Sequence, residues 1–409
     1  MATIRIKHFG PIQDTGVIKL SEVLLVIGRQ SSGKSTFMKV LCQCRWLEKK
    51  IMTRLDNYVQ IYTHNKRFIA DLKQFHRVDE VYFQDNTLIE YDGDTIRISL
   101  TGKNQNAKIT RKEAAWEYRY NTKLSYIPAE RNLVSAVRNI NSAYKTDDRD
   151  VLFNFILEWN ECRRDFTTEK KLPLSLTDKF QYYDEMGQDY IVLPTGKPIT
   201  SFFASSGVQS IMPIDVFSEK LTEMIGHITK YSVEDLMNRV TELLDKKKEK
   251  SLDPTTLLYD QMATMREHMK YNSAQLFIEE PEQNLYPDAQ RLLVQNLIRR
   301  IKRAKNAGKN PSLLVMTTHS PYILSTLNVL IADAHARQEK PNDKRLDALI
   351  DNSTLLPLEA YSAYYINNEG IFEDIKDIEL PMFSGIDLDN VSDWVEEHIS
   401  RINDVVYSD

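Results

Sequence analysis

Residues Gly28-Arg29-Gln30-Ser31-Ser32-Gly33-Lys34-Ser35-Thr36 directly follow the apolar run Val23-Leu24-Leu25-Val26-Ile27 and fit the pattern GxxxxGK[ST]. That spacing has a chemical reason. Gly28 and Gly33 allow the backbone N–H groups of the loop, with Ser31, Ser32 and Thr36 in it, to curl around a β-phosphate. Lys34 reaches the β- and γ-phosphates, and the Ser35 hydroxyl ligates Mg²⁺. The helix expected to open at Lys34 adds the positive end of its dipole. A strand before the loop and a helix after it are the context in which such a pattern holds a nucleoside triphosphate.

Two further groups complete the chemistry. Leu276-Phe277-Ile278-Glu279-Glu280-Pro281 reads as an apolar strand with consecutive acids at its C-terminal end. Next to a phosphate loop, Glu279 is placed to hold Mg²⁺, directly or through water, and Glu280 to polarise the attacking water. Ser312 to Thr318 reads as another buried strand, ending at His319-Ser320-Pro321. With that strand beside the one bearing Glu280, the imidazole is positioned to hydrogen-bond the γ-phosphate and report hydrolysis.

The elements that must position these groups follow from periodicity. Thr3 to Phe9 alternates as a half-buried strand and is broken by Gly10-Pro11; a second strand runs from Gly16 to Leu20. Residues 34–50 read as helix, continued by a polar helical stretch to about Phe75. Between Val81 and Arg111, short strand-like runs separated by Asp-Asn, Asp-Gly-Asp and Thr-Gly-Lys-Asn predict an antiparallel meander. Leu124 to Pro128 is a strand ahead of helical text reaching Trp159, residues 140–185 are polar and mixed, and Tyr190 to Leu193 is a short strand. The text from Val208 to about Lys270 is helical. Its interruption at Ser251-Leu252-Asp253-Pro254 is consistent with the tip of a helical hairpin, which would make residues 211–270 a projecting arm.

With 409 residues, 42% of them apolar and 27% charged, the chain has the composition of an ordinary globular protein. No apolar stretch approaches the ~18 residues that span a bilayer, and the N-terminus has no signal-peptide core, so cytoplasmic residence without a membrane partner is expected. Cys42, Cys44 and Cys162 suggest neither a disulfide framework nor a zinc site. A net charge of −5 gives no global attraction to nucleic acid. Two basic clusters, Lys246 to Lys250 and Arg299, Arg300, Lys302, Arg303, Lys305 and Lys309, read first as solvated helix faces, the second being the better nucleic-acid candidate.

The ordered set of phosphate loop, Ser205-Ser206-Gly207-Val208-Gln209, Ile278 to Pro287 and Thr317-Thr318-His319-Ser320-Pro321 resembles an ABC-type ATPase head, in the branch of RecF, SMC and overcoming-lysogenization-defect (OLD) proteins. Tyr126-Ile127-Pro128-Ala129-Glu130-Arg131 is similar to a segment common in OLD-like ATPases, many of which serve bacterial anti-phage defence. Tyr361 to Glu373 also resembles that group. The resemblance implies ATP and Mg²⁺ as ligands. It also implies that Ser206 and Gly207 meet the γ-phosphate held by the opposite subunit, in a head-to-tail dimer with ATP sandwiched between copies. A serine hydroxyl and N–H groups at a helix start suit an anion. Asn284 and Leu285 fall in the family's interface-crossing loop. Val208 stands where the signature has a second glycine and Glu279 where an aspartate is usual, both compatible with slow turnover. For the metal-sensing glutamine, Gln84 is the best candidate.

The expected fold is α/β: an ABC-type head with a mixed central sheet, an antiparallel β subdomain and a helical lobe or arm. Its expected parts are an N-terminal head segment (1–139), a helical lobe (140–270) and a C-terminal head segment (271–409). The stretch after His319 is too short for the Toprim nuclease domain of OLD nucleases, and Asp387-Leu388-Asp389 reads as a helix N-cap ahead of Val391 to Ile402. These features lead to an ATPase that regulates a nuclease or toxin supplied in trans. The alternatives are a RecF- or SMC-like DNA-maintenance ATPase and a slow-turnover nucleotide-gated scaffold or sensor.

Overall fold

The computed structural model describes residues 2–53, 57–103, 105–112, 121–137, 140, 150–227, 270–308, 310–377, 380–385 and 399–400. Most of the expected arm, the Lys246–Lys250 cluster, Lys309 and Asp387–Asp389 lie outside them. In chain order the strands are β1 Thr3–Phe9, β2 Ile12–Asp14, β3 Ile18–Lys19, β4 Val23–Gly28, β5 Phe83–Asp92, β6 Ile96–Thr101, β7 Lys108–Arg111 and β8 Thr122–Ile127. They continue with β9 Leu172–Pro173, β10 Gln181–Glu185, β11 Gln188–Val192, β12 Pro198–Thr200, β13 Ser273–Glu279, β14 Leu313–Thr318, β15 Tyr361–Ile366 and β16 Phe372–Asp374. The helices are α1 Lys34–Thr53, α2 Asn57–Tyr62, α3 Arg67–Gln74, α4 Leu133–Ala136, α5 Val151–Cys162, α6 Ser206–Glu223, α7 Pro287–Ala307 and α8 Pro321–Glu339.

The central sheet has the order β16-β15-β4-β14-β13-β8. All neighbours are parallel except the β15–β16 pair, so the sheet is mixed. Every residue of β4, β13 and β14 is buried, which is why they read as unbroken apolar runs: helices and a second sheet cover both faces. Alternation along β4 divides its side chains between two cores. Val23, Leu25 and Ile27 pack with α5, α6, α7 and α8. Leu24 and Val26 pack with Phe37, Met38 and Leu41 of α1 and with the antiparallel sheet.

That second sheet runs β2-β1-β5-β6-β7 with β3 paired to β1, and its β5-β6-β7 portion is the meander expected from the Asp-Gly and Thr-Gly turns. It is pinned to α1 by Glu48, fully buried, which accepts hydrogen bonds from Thr95 N (2.6 Å), Thr95 Oγ1 (2.9 Å), Arg45 Nη1 (3.2 Å) and Tyr91 Oη.

A third sheet, β12-β11-β10-β9, fills part of the helical lobe. Only the Tyr190 to Leu193 portion was legible as strand. The Gln181–Glu185 partner is hidden by its polar composition, and the turn joining them places Met186 and Gly187 at φ 51° and 85°. Within the lobe, α5 shows a helical stripe: Val151, Leu152, Phe155, Ile156, Trp159 and Cys162 are buried, and the Asp150 side chain caps the start by accepting from Phe153 N.

Among the described residues, no helix is long and apolar enough to cross a membrane.

Candidate nucleotide site

The C-terminal ends of four adjacent parallel strands converge, as ligand sites in α/β sheets do. The phosphate loop follows β4, Glu279 ends β13 with Glu280 directly after it, His319 follows β14, and Ala129 to Asn132 form a 3₁₀ turn after β8. Within the loop Ser31 and Gly33 take φ of 62° and 109°, the left-handed region that lets successive N–H groups face one concavity. A Cβ on Gly33 would stand 3.0 Å from Ile12 Cγ1 and 3.2 Å from Pro11 Cγ, so the antiparallel sheet closes against the loop there.

Lys34 is 5% exposed and folds back on the loop, Nζ donating to the carbonyls of Gly28 (2.8 Å) and Arg29 (2.7 Å). Its third neighbour is His319 Nδ1 at 3.3 Å, and His319 Nε2 lies 3.1 Å from Glu280 Oε1. An ammonium has no lone pair, so Nδ1 accepts and Nε2–H donates to the carboxylate, which fixes the tautomer. Burial pushes the Lys34 ammonium down to about 8 against the opposing pull of Glu280 and Glu282. The hydrogen bond from His319 holds the Glu280 carboxyl below its usual range against the opposing effect of burial, with the Lys34 and Arg131 charges adding to it.

Glu280 itself sits at φ 43°, its N–H held by the Thr317 carbonyl at 2.9 Å. A non-glycine residue in that region is held by its surroundings. Much of that hold comes from Arg131, which is fully buried. Its guanidinium donates to the carbonyls of Glu279 (2.8 Å), Glu280 (2.7 Å) and Ser210 in α6 (2.9 Å). Burial pushes Arg131 down to about 10 although Glu282, Glu280 and Glu279 pull it up. The sequence marks Arg131 as part of a familiar segment but gives no hint that it joins the acid-bearing strand to the helix that begins at Ser206.

Glu279 shares the sheet face of Phe277, which α1 covers. Oε1 accepts from Tyr126 Oη at 2.6 Å and Oε2 from Ala129 N at 3.1 Å, so the acid is anchored to β8 while each oxygen keeps further acceptor capacity. Ser35 is half-buried in the first turn of α1 and Thr36 is buried. Ser32 Oγ and Thr317 Oγ1 are buried without hydrogen-bond partners among the described residues. Such orphans at a cluster of one lysine, two acids and a glycine-rich loop fit a triphosphate with a hard divalent cation.

Ser206 opens α6 after Ser205, whose side chain makes no capping bond; both are exposed. The first turn of α6 rests on the loop after Glu280: a Cβ on Gly207 would lie 2.9 Å from the Asn284 carbonyl oxygen, and Asn284 Nδ2 donates to Ser210 Oγ at 2.9 Å. Among the described residues no hydrogen bond links Ser206 or Gly207 to the phosphate loop of the same chain.

Gln84 is not brought to these groups by any hydrogen bond. It is exposed on β5 of the antiparallel sheet, where its N–H bonds Thr87 Oγ1 at 2.8 Å, so its expected metal contact has no support in the geometry. The basic stripe on α7 is partly solvated, as first read, except for Arg300, and its arginines and Lys305 are engaged in ion pairs. Arg300 is buried on Asp215 (2.6 Å) and Glu219 (2.8 Å), Arg299 pairs with Asp351 (2.7 Å), Arg303 with Glu219 (2.8 Å) and Lys305 with Glu22 (2.7 Å). The stripe bridges α7 to α6 and to surface turns.

Among solved structures, the chain is similar to the SMC head domain from Thermotoga maritima, with 10% identity over 92% of this chain and 98% of that one and a TM-score of 0.34. It is also similar to the Smc head domain from Pyrococcus furiosus bound to the C-terminal domain of ScpA (9%, 97% and 100%, 0.36) and to the recombination mediator RecF (9%, 91% and 97%, 0.33). Identities and scores this low say nothing about activity. No curated protein matches the sequence. Residues 48–324, more than half of the chain and including both acids and His319, match the family described as AAA ATPase domain, and the chain belongs to that family.

Proposed function

We propose that the chain hydrolyses ATP and that two copies close on it head to tail. The observation that carries the reading is the continuous path Lys34–His319–Glu280 across the ends of β4, β14 and β13. In it Lys34 leaves the Gly28 and Arg29 carbonyls for the β- and γ-phosphate oxygens. Glu280 takes a proton from water as its oxygen bonds to the γ-phosphorus and the bond to the bridging oxygen breaks. His319 keeps Glu280 ionised before ATP binds, and its Nε2–H then turns from Glu280 to the γ-phosphate. Ser35 and Glu279 would hold Mg²⁺, which supplies charge neutralisation on the phosphate oxygens. The exposed Ser206-Gly207 start of α6 supports delivery of a hydroxyl and N–H groups to the triphosphate of a second copy.

In this reading the ATP-driven closure regulates an effector, a nuclease or toxin, in OLD-like anti-phage defence. That part is supported by the motif resemblance alone. A slow-turnover sensor is the second reading, favoured by one observation: both oxygens of Glu279 are already hydrogen-bonded to β8 and the turn after it. The engaged arginines of α7 weigh against a DNA-maintenance role for that face.

Gel filtration of Glu280→Gln with Mg·ATP tests the assembly. An ATP-dependent shift to at least a dimer is expected, and an unchanged size with and without nucleotide removes the sandwich. Steady-state phosphate release near background with tight ATP retention selects the sensor.

A further inference from the structure

Glu279, the last residue of β13, is 6% exposed and carries a donor on each carboxylate oxygen. In the parallel pairing of β8 with β13, Tyr126 stands opposite Phe277 and Ile127 opposite Ile278. Side chains alternate along a strand, so Tyr126, Phe277 and Glu279 share one face of the sheet, and the phenol runs diagonally toward the acid. Its hydroxyl donates to Oε1 at 2.6 Å, while the N–H of Ala129, in the turn after β8, donates to Oε2 at 3.1 Å.

Both donors are themselves fixed. Tyr126 is buried in the same core as Phe277, and its ring stands edge-on to that of His76 with centroids 6.0 Å apart. Ala129 opens the 3₁₀ turn that contains Arg131, which is fully buried and bonded to the carbonyls of Glu279 and Glu280. Glu279 is thus held at its main chain by Arg131 and at both carboxylate oxygens by the end of β8. A glutamate side chain has several rotatable bonds, and freezing them only when an ion arrives costs affinity. Mg²⁺ demands near-ideal octahedral geometry of its oxygen ligands. Donors that freeze a carboxylate beforehand remove that cost, and each oxygen keeps a further lone pair for a ligand.

We propose that Tyr126, with the Ala129 N–H, forms the positioning pair of the divalent-cation site: the two aim Glu279 at the ion and raise the ion's affinity for the nucleotide-loaded chain, without touching ion or nucleotide. This rests on the Mg²⁺ role proposed for Glu279. The hydroxyl of Tyr126 acts through that acid alone, so its contribution exists only while the carboxylate does.

Titration of Mn²⁺ into chain saturated with a non-hydrolysable ATP analogue, read by the EPR signal of the free ion, tests this without turnover. Tyr126→Phe deletes one oxygen and keeps the ring. Ala129→Pro deletes the other donor at the first position of a helical turn, where proline is tolerated. Each should weaken Mn²⁺ binding about tenfold, with the metal-free affinity for the analogue unchanged. Glu279→Leu should weaken Mn²⁺ as well, and adding Tyr126→Phe to it should cost nothing more. Three results would overturn the positioning and leave Glu279 as a ligand: unchanged Mn²⁺ affinity in either folded variant, an equal fall in metal-free affinity, or a full further loss when Tyr126→Phe is added to Glu279→Leu. Unchanged Mn²⁺ affinity in Glu279→Leu removes the metal role itself, and the positioning with it.

Discussion

Nε2 of His319 lies 3.1 Å from Oε1 of Glu280, close enough for the imidazole to donate to the acid that would deprotonate water. Removing it should cost turnover and leave ATP binding nearly intact, a fall of about 100-fold in kcat for His319→Ala. The pH profile carries a second signature. His319 holds the Glu280 carboxyl low, so the base stays ionised, and its share of stability stays present, until pH falls through that depressed value. In His319→Ala the acid limb of the kcat profile should move up in pH; an unmoved limb would show that Glu280 is not the titrating base.

Lys34 gives the opposite sign. Burial lowers its folded value to about 8, so the folded chain binds fewer protons than the unfolded one between there and the ordinary lysine range. Burying the ammonium therefore costs stability in full below about 8, and the cost fades as pH rises. Triphosphate favours the charged form, so ATP affinity should fall above pH 8, by up to about tenfold per pH unit. Titrations between pH 8 and 9.5, where ATP itself does not ionise further, check this; a flat profile would contradict it.

Arg131→Met keeps the volume and removes donors from the carbonyls of Ser210, Glu279 and Glu280. Loss of about 3 kcal/mol of stability is expected, read by denaturant titration. Because Arg131 fixes Glu280 rather than touching nucleotide, kcat should drop more than ATP affinity. Equal losses in both would reduce it to a packing residue.

Arg300 and Asp215 form a buried pair, with Asp215 also accepting from Ser175 N at 2.7 Å. Arg300→Leu leaves that carboxylate without its cation and should destabilise the chain by about 3–5 kcal/mol. Arg299→Ala, whose partners are exposed, should change stability by no more than about 1 kcal/mol. Comparable melting shifts for the two would contradict this division.

Ser206→Glu sets a carboxylate where a second copy's γ-phosphate is expected. ATP binding by the single chain should persist while the ATP-dependent dimer of the Glu280→Gln background disappears from light scattering. A dimer that survives would place the interface elsewhere.

The central apparatus was legible because each part lies within one short segment: the loop at Gly28–Thr36, the acids after Phe277-Ile278, the histidine after an apolar run. What joins the parts was not, since Arg131 meets Ser210 and Glu280 across 79 and 149 residues of sequence, and nothing local records either contact. Arg300 escaped for the same reason: read with its neighbours as part of a solvated face, it is buried on Asp215 and Glu219, more than 80 residues away. Gln84 was chosen by residue type in a strand, and type alone could not show that its strand belongs to a different sheet. Of the hairpin of β10 and β11, the run Tyr190 to Leu193 was legible, whereas Gln181–Glu185 escaped because it has no unbroken apolar run.

The place of β4 in the central sheet dictates when the protein can come into being. Its flanking strands are β14 and β15, so a ribosome that has finished the phosphate loop must still make residues 313–318 before β4 has one neighbour and 361–366 before it has both. Until then the run Val23 to Ile27 is an open template for mispairing, and loop closure over such separations is slow. The nucleotide grip is thus among the last things the nascent chain acquires, and a translation arrested before residue 361 yields a polypeptide with the motif but without the finished sheet around it.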